Sequence, residues 1–196
     1  MTTKNERVRG RPRAFDSEEA IARAQRLFHA RGYDAVSVAD LTEALGISPP
    51  SFYAAFGSKR GLYERVLDRY AETGAIPFAD LLQPDRPVAA SLSALLEEAA
   101  RRYAADCDVA GCLVLEGTRC NDSGAREGAR TFHVAAQEAI RSYIAVRHPD
   151  EADRLTDFVN TTMAGLSAMA RNGHTLNQLL ATAQLAGSAI AQDLSK

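Results

Sequence analysis

The chain has 196 residues, 46% of them hydrophobic and 24% charged, an ordinary globular balance that excludes wholesale disorder. It has no apolar run near the ~20 residues needed to cross a bilayer, and the basic N-terminus MTTKNERVRGRPR has no apolar stretch behind it, so neither a membrane span nor a signal peptide is expected. Three irregularly spaced cysteines make no disulfide framework, which points to a reducing, cytoplasmic home.

The net charge of −2 hides an asymmetry. Residues 1–60 carry ten Lys/Arg against seven Asp/Glu, and residues 61–196 carry thirteen against eighteen. A basic end on an acidic body suits a molecule of which only one part meets a polyanion. A solvated tail has the same composition, so charge alone leaves both readings open.

Strand signals are almost absent, and apolar residues recur at three- and four-residue steps, so the fold class is all-α. The first helix starts after Asp16 or Ser17, buries Ile21, Ala24, Leu27 and Phe28, and stops at Gly32. The second begins at Ser37, with Asp40 in its first turn and Val38, Leu41 and Leu45 inward, and ends at Gly46. In "SPPSFYAAF" the residue before a proline resists helical geometry, so the third helix is expected from Pro50 to Phe56, anchored by Phe52 and Phe56. A fourth, 58–73, carries Leu62, Tyr63, Val66, Leu67 and Tyr70. The stretch around Pro77, Pro84 and Pro87 reads as a linker. Longer helices follow over roughly 87–105, 109–120, 125–146, 150–171 and 175–193.

Two short helices joined by a glycine turn, "VADLTEALGISPPSFYAAF", make a helix-turn-helix pattern. In it the second helix enters the major groove while neighbouring groups fix register on phosphates. Tyr53 offers a hydroxyl donor, and Lys59 adds a charge beside the free amides of a helix start. A plain helical hairpin has the same spacing.

The segments "GRPRAFD", "AQRLFHARGYDAVSVADLTEALGIS" and "SFYAAFGSKRGLY" go further, because together they resemble the TetR family of bacterial transcriptional regulators. They cover about a quarter of the chain, closing on a Tyr-x-x-Phe-x-x-Lys signature. The resemblance implies a three-helix N-terminal helix-turn-helix domain joined to a C-terminal helical domain for effector binding and dimerisation. The corresponding division is a basic arm over 1–14, a DNA-binding domain over 15–60 and an effector domain over 61–196. It further implies a homodimer reading a palindromic operator in double-stranded DNA. Tyr53 and Lys59 then look like phosphate contacts, with Ser37 and Ser51 as additional backbone partners. Ser48, Pro50 and Ser51 stand where such a helix meets bases, and Arg11 and Arg13 resemble an arm laid along a minor groove.

Two departures matter. Ala54 and Ala55 replace larger side chains, leaving readout to serine hydroxyls, thymine methyls and DNA shape. Gly61 replaces the usual acidic residue, so Ser58 has no capping-box partner, a loss of ~1 kcal/mol.

The resemblance also implies that middle helices enclose a pocket for a small, largely apolar effector, and that the last two helices pair with a second copy. The expected pocket residues are Leu92, Leu96, Tyr103, Cys112, Leu115, Phe132, His133, Tyr143 and Phe158. The expected dimer residues are Leu166, Met169, Leu176, Leu179, Leu180, Ala183, Ala186 and Ile190, the small ones allowing close approach. His29, His148 and His174 show no metal-ligand spacing, and no cofactor is implied.

Cys112 raises a further possibility. A helix start capped by Asp108 would lower its thiol pKa, and the Gly111–Cys112 pair resembles a subgroup in which such a cysteine senses electrophiles or oxidants. A small buried apolar residue is the plainer reading. A thiol enzyme using Cys112 with His133 lacks any oxyanion loop or phosphate cradle in the sequence. An enzyme is therefore not expected.

Overall fold

The computed structural model describes residues 16–195, so Arg11 and Arg13 lie outside the described residues. Among those described there is no strand. Ten α-helices run in order: α1 (Ser17–Arg31), α2 (Val38–Leu45), α3 (Pro49–Phe56), α4 (Lys59–Thr73), α5 (Phe78–Leu81), α6 (Val88–Tyr103), α7 (Leu113–Gly117), α8 (Ser123–Ala145), α9 (Ala152–Arg171) and α10 (Leu176–Asp193). Among the described residues no helix is long and apolar enough to cross a membrane.

Local chemistry sets the first four helices. Asp16 caps α1 by accepting from the amides of Glu18 and Glu19. Ser37 and Asp40 close a reciprocal capping box on α2, and Gly46 ends it in the left-handed conformation. Ser48 caps α3, which starts at Pro49 and not Pro50 as expected. The first amides of a helix have no intrahelical acceptor, so both prolines fit the first turn without losing a hydrogen bond. Their apolar faces meet in one cluster in which Phe28, Leu41, Phe52, Leu62, Val66 and Leu67 are wholly buried. Phe28, Tyr33 and Tyr63 stack at its centre with ring centroids 4.9–5.7 Å apart. Leu113, Cys120, Ala125 and Ala129, from far along the chain, complete this cluster.

A second cluster is built from α6, α8, α9 and α10, with Leu92, Leu95, Leu96, Ile140, Ile144, Val159 and Ala183 fully enclosed. The proline-rich stretch is not a free linker. Ile76 is buried in this cluster and Phe78, Leu81 and Leu82 pack against it. Tyr143 Oη also fastens the stretch, donating to Ser91 Oγ at 2.8 Å and lying 3.0 Å from the Gln83 carbonyl.

The helix expected over 109–120 is broken. Residues Cys107–Val109 form a single 3-10 turn, Gly111 sits at φ +81°, and only Leu113–Gly117 is α-helical. A left-handed residue cannot continue a right-handed helix, and glycine takes it without strain. Asp106, not Asp108, caps the 3-10 turn.

Ala183, Ala186 and Gly187 of α10 face inward. A Cβ on Gly187 would lie 2.3 Å from Ser93 Oγ, so α10 touches α6 almost backbone to backbone. Leu179, Ala183, Ala186 and Ile190, expected at a dimer seam, are therefore buried within the chain, as is Leu166 on α9. On α9 and α10 the large apolar side chains left in solvent are instead Phe158, Met169, Leu176 and Leu185, with Leu180 half-buried.

Candidate nucleic-acid interface

The outer face of α3 is small, polar and exposed. Ser48, Pro50, Ser51 and Ala54 are in solvent, Ala55 is half-buried and Tyr53 is 52% exposed. Tyr53 holds its direction by leaning edge-on against the buried Phe52, with centroids 5.5 Å apart. Ser48 Oγ accepts from the Ser51 amide at 3.3 Å, and the two hydroxyls lie 2.9 Å apart. One of their two protons is thus used within the pair, leaving a single serine donor for an external acceptor.

Ser37 is less available than expected. Its hydroxyl accepts from the Asp40 amide at 3.1 Å and donates to the Asp40 carboxylate, which also holds Arg31 at 2.9 Å. The Ser37 hydrogen bonds and Arg31 keep the Asp40 carboxyl well below the usual range. With its only hydroxyl proton on a carboxylate, Ser37 belongs to the cap and does not offer a donor to phosphate.

Lys59 opens α4. Its Nζ lies 4.0 Å above the centre of the Tyr33 ring. Partial burial there pulls its pKa down, with Asp34 and Asp122 pulling the other way. The ammonium is parked on an aromatic face by a cation–π contact, and its four-carbon stem allows it to swing outward. Gly61, one residue past Arg60, has a reason the sequence did not reveal. A Cβ there would lie 2.4 Å from the Phe56 carbonyl oxygen, so the α3–α4 corner closes on this glycine.

At the other end of α4 lies a cavity of about 320 Å³. Tyr103, Cys112, Leu115, Phe132 and His133 line it as expected. Leu92 and Leu96 do not, being wholly enclosed in the core. Tyr143 is committed to the 83–91 stretch, and Phe158 is 42% exposed on the outside of α9. Sequence reasoning missed Tyr70, Ile76, Phe78, Asn160 and Met163, which also line the space.

Cys112 does not have the environment of a reactive thiol. Burial raises its pKa, outweighing the nearby Leu115 and Val114 amides, and Tyr70 Oη donates to its sulfur at 3.7 Å. α7 is too short for its dipole to prevail over desolvation. Cys107 is the exposed cysteine. Asp106, Cys107 and Asp108 could bring ligand atoms within 4.8 Å of one another, but Asp106 already caps Asp108 and bonds Arg26.

Two elements touch both the N-terminal core and the cavity. α4 contributes Tyr63 to the N-terminal core and Tyr70 and Ala71 to the cavity wall. The segment around α7 contributes Leu113 to that core and Cys112, Val114 and Leu115 to the wall. His29 Nε2 donates to the Gly111 carbonyl at 3.1 Å, and Arg171 of α9 reaches the His29 carbonyl at 2.9 Å. Burial lowers the His29 pKa to about 4, so the ring is neutral.

A capped helix pair with an exposed outer face, sharing α4 and the α7 segment with an apolar cavity, is the arrangement of a DNA-binding regulator. Residues 20–66 match the model of the bacterial regulatory proteins of the tetR family. Over 190 residues, 97% of this chain and 96% of the relative, the sequence is 55% identical to the HTH-type transcriptional repressor BdcR of Escherichia coli K12. It is 32% identical to the repressor ComR of the same strain, over 93% of this chain and 90% of that one. The fold matches a cysteine mutant of the TetR family transcriptional regulator CifR complexed with 26-base-pair double-strand operator DNA. The TM-score is 0.82 at 32% identity, covering 91% of this chain and 99% of that one. The chain belongs to the TetR family: it is a transcriptional regulator and not an enzyme.

Proposed function

We propose that this protein is a cytoplasmic homodimeric repressor that a small effector releases from a palindromic operator. The observation that carries this is the sharing of α4 and the α7 segment between the recognition domain and the cavity. In this reading residues 1–14 are a basic arm with Arg11 and Arg13 in a minor groove, 15–60 read DNA, and 61–196 bind effector and partner. Tyr53 and Lys59 hold phosphates, while Ser48, Pro50 and Ser51 meet bases. The exposed Phe158, Gly165 and Met169, at a spacing that keeps one face of α9, join Leu185 of α10 at the dimer seam.

An effector that fills the cavity displaces Tyr70 or α7 and so tilts the recognition helices. Their separation must match the ~34 Å DNA repeat or a multiple of it. A coupling of ~3 kcal/mol lowers operator affinity about 150-fold, and DNA weakens effector binding by the same factor. Footprinting of the DNA upstream of the protein's own gene locates the operator. Calorimetry of a releasing effector with and without that operator then tests the coupling, and equal affinity in both titrations would refute it.

A further inference from the structure

The start of α3 is closed to outside acceptors. Its first two residues, Pro49 and Pro50, have no N–H. The next amide, of Ser51, is taken by Ser48 Oγ at 3.3 Å, and that of Phe52 by the Ser48 carbonyl at 2.9 Å. A helix N-terminus normally presents free amides to an anion or to the acceptor edge of a base. This one presents none at its first four positions.

The side chains are equally poor in donors. The helix reads PPSFYAAF, without a charged or amide side chain. The hydroxyls of Ser48 and Ser51 share one hydrogen bond at 2.9 Å, which leaves a single serine proton. By helical spacing Pro50 and Ala54 lie together, opposite the buried Phe52 and Phe56, with Ser51 on one flank and Tyr53 on the other. Both are exposed, so the centre of the outer face is a proline ring beside a methyl group.

The four bases offer such a face different edges in the major groove. Guanine shows two acceptors and is read by paired donors, and adenine is read by a side-chain amide. α3 has neither. Cytosine offers a donor and no methyl group, whereas thymine offers one acceptor and a methyl. One serine proton beside an apolar centre matches thymine.

We propose that α3 selects its operator through the C5-methyl group of thymine, packed on Pro50 and Ala54. The methyl group is the feature recognised, so 5-methylcytosine substitutes in part for thymine. The inference rests on the reading of α3 as the base-contacting helix and names the base feature which that helix takes.

A randomised DNA duplex library enriched on the wild-type protein supplies the probe. The enriched duplex is resynthesised with deoxyuridine for one thymidine at a time, which removes a methyl and leaves every hydrogen-bonding group in place. At one thymine or more in each half-site, binding should weaken roughly fourfold per methyl lost, the worth of one buried methylene-sized group. At the same position 5-methylcytosine should bind tighter than cytosine by about the same factor. Ala54→Gly should bring the thymidine-to-deoxyuridine ratio there towards one. Both affinities in that ratio belong to one variant, so a change in helix stability cancels.

Deoxyuridine tolerated at every thymidine overturns the proposal, as does an enriched half-site without thymine. So does 5-methylcytosine bound no tighter than cytosine, or a thymidine preference unchanged in Ala54→Gly. Ala54→Asp, which sets a carboxylate on the same face, tests the underlying reading. If it abolishes binding to a duplex that is indifferent to the methyl, α3 still meets the bases and only the methyl inference falls. If it leaves affinity unchanged, or if no duplex is enriched, the base-contacting role of α3 falls and the methyl inference with it.

Discussion

Ser48, Pro50, Ser51 and Tyr53 stand in solvent on α3 and its cap, whereas Tyr103, Cys112 and Asn160 line a cavity between helices far apart in the chain. The first group is held by bonds spanning three residues: Ser48 to Ser51, and Ser37 to Asp40 next door. The second is held by contacts spanning tens of residues, such as Tyr70 to Cys112 and Cys112 to Ser167. A surface that must fit a fixed external partner is stiffened locally, so that it survives movement elsewhere. In the proposed reading the cavity reports occupancy, and its assembly from several elements means that filling it would displace them relative to one another. The contacts of His29 with Gly111 and of Arg171 with His29 lie on the boundary and in that reading would transmit the displacement.

The contrast can be broken most severely inside the C-terminal helices. Leu179→Asp would bury an unpaired carboxylate where the leucine is 1% exposed, and should cost roughly 3–5 kcal/mol and unfold this half. Leu185→Asp, at a site 73% exposed, should leave the melting temperature nearly unchanged while light scattering shows monomers. A folded Leu179→Asp protein would mean that the small-residue face of α10 is not internal after all.

Acid probes the boundary next. The native His29 pKa of about 4 lies below its ordinary value of 6.5, so the unfolded chain takes the proton first. The stability held by the neutral ring is complete above pH 6.5 and falls as pH drops towards 4, by on the order of 3 kcal/mol. His29→Gln should flatten denaturant midpoints measured across that window.

The α3–α4 corner comes third. Gly61→Ala should destabilise by about 1–3 kcal/mol because its Cβ meets the Phe56 carbonyl. A Gly61→Glu protein more stable than wild type in thermal melts would show that the missing capping partner, not the close approach, governs this corner.

On the recognition face, Tyr53→Phe should weaken operator binding by about 1 kcal/mol per half-site. Lys59→Ala should reduce the slope of log K against log[salt] by roughly one phosphate per subunit. Both losses should be even across operator variants, because phosphate contacts carry no base information. An unchanged slope would leave Lys59 on the Tyr33 ring as a purely structural contact. The smallest effect concerns the thiols. Exposed Cys107 should be alkylated ahead of Cys112, and the reverse order in mass-resolved labelling would restore the sensing role that the sequence suggested.

The amino-acid sequence by itself determined the N-terminal helices and their caps, because Asp16, Ser37, Ser48 and the glycines that stop each helix act over three or four residues. It also carried the apolar faces of α4, α6, α9 and α10, since helical period follows from spacing alone. Which of those faces look inward was decided only by tertiary structure. Ala183 and Gly187 suit a seam between copies as well as a seam within one chain, and only the approach of Ser93 chose the latter. The break at Gly111, the role of Gly61 and the unpaired amide of Asn160 share that character. Each depends on where the folded chain brings another group, which no helical propensity encodes: Ser167 beside Gly111, the Phe56 carbonyl across the α3–α4 corner from Gly61, and the cavity wall around Asn160.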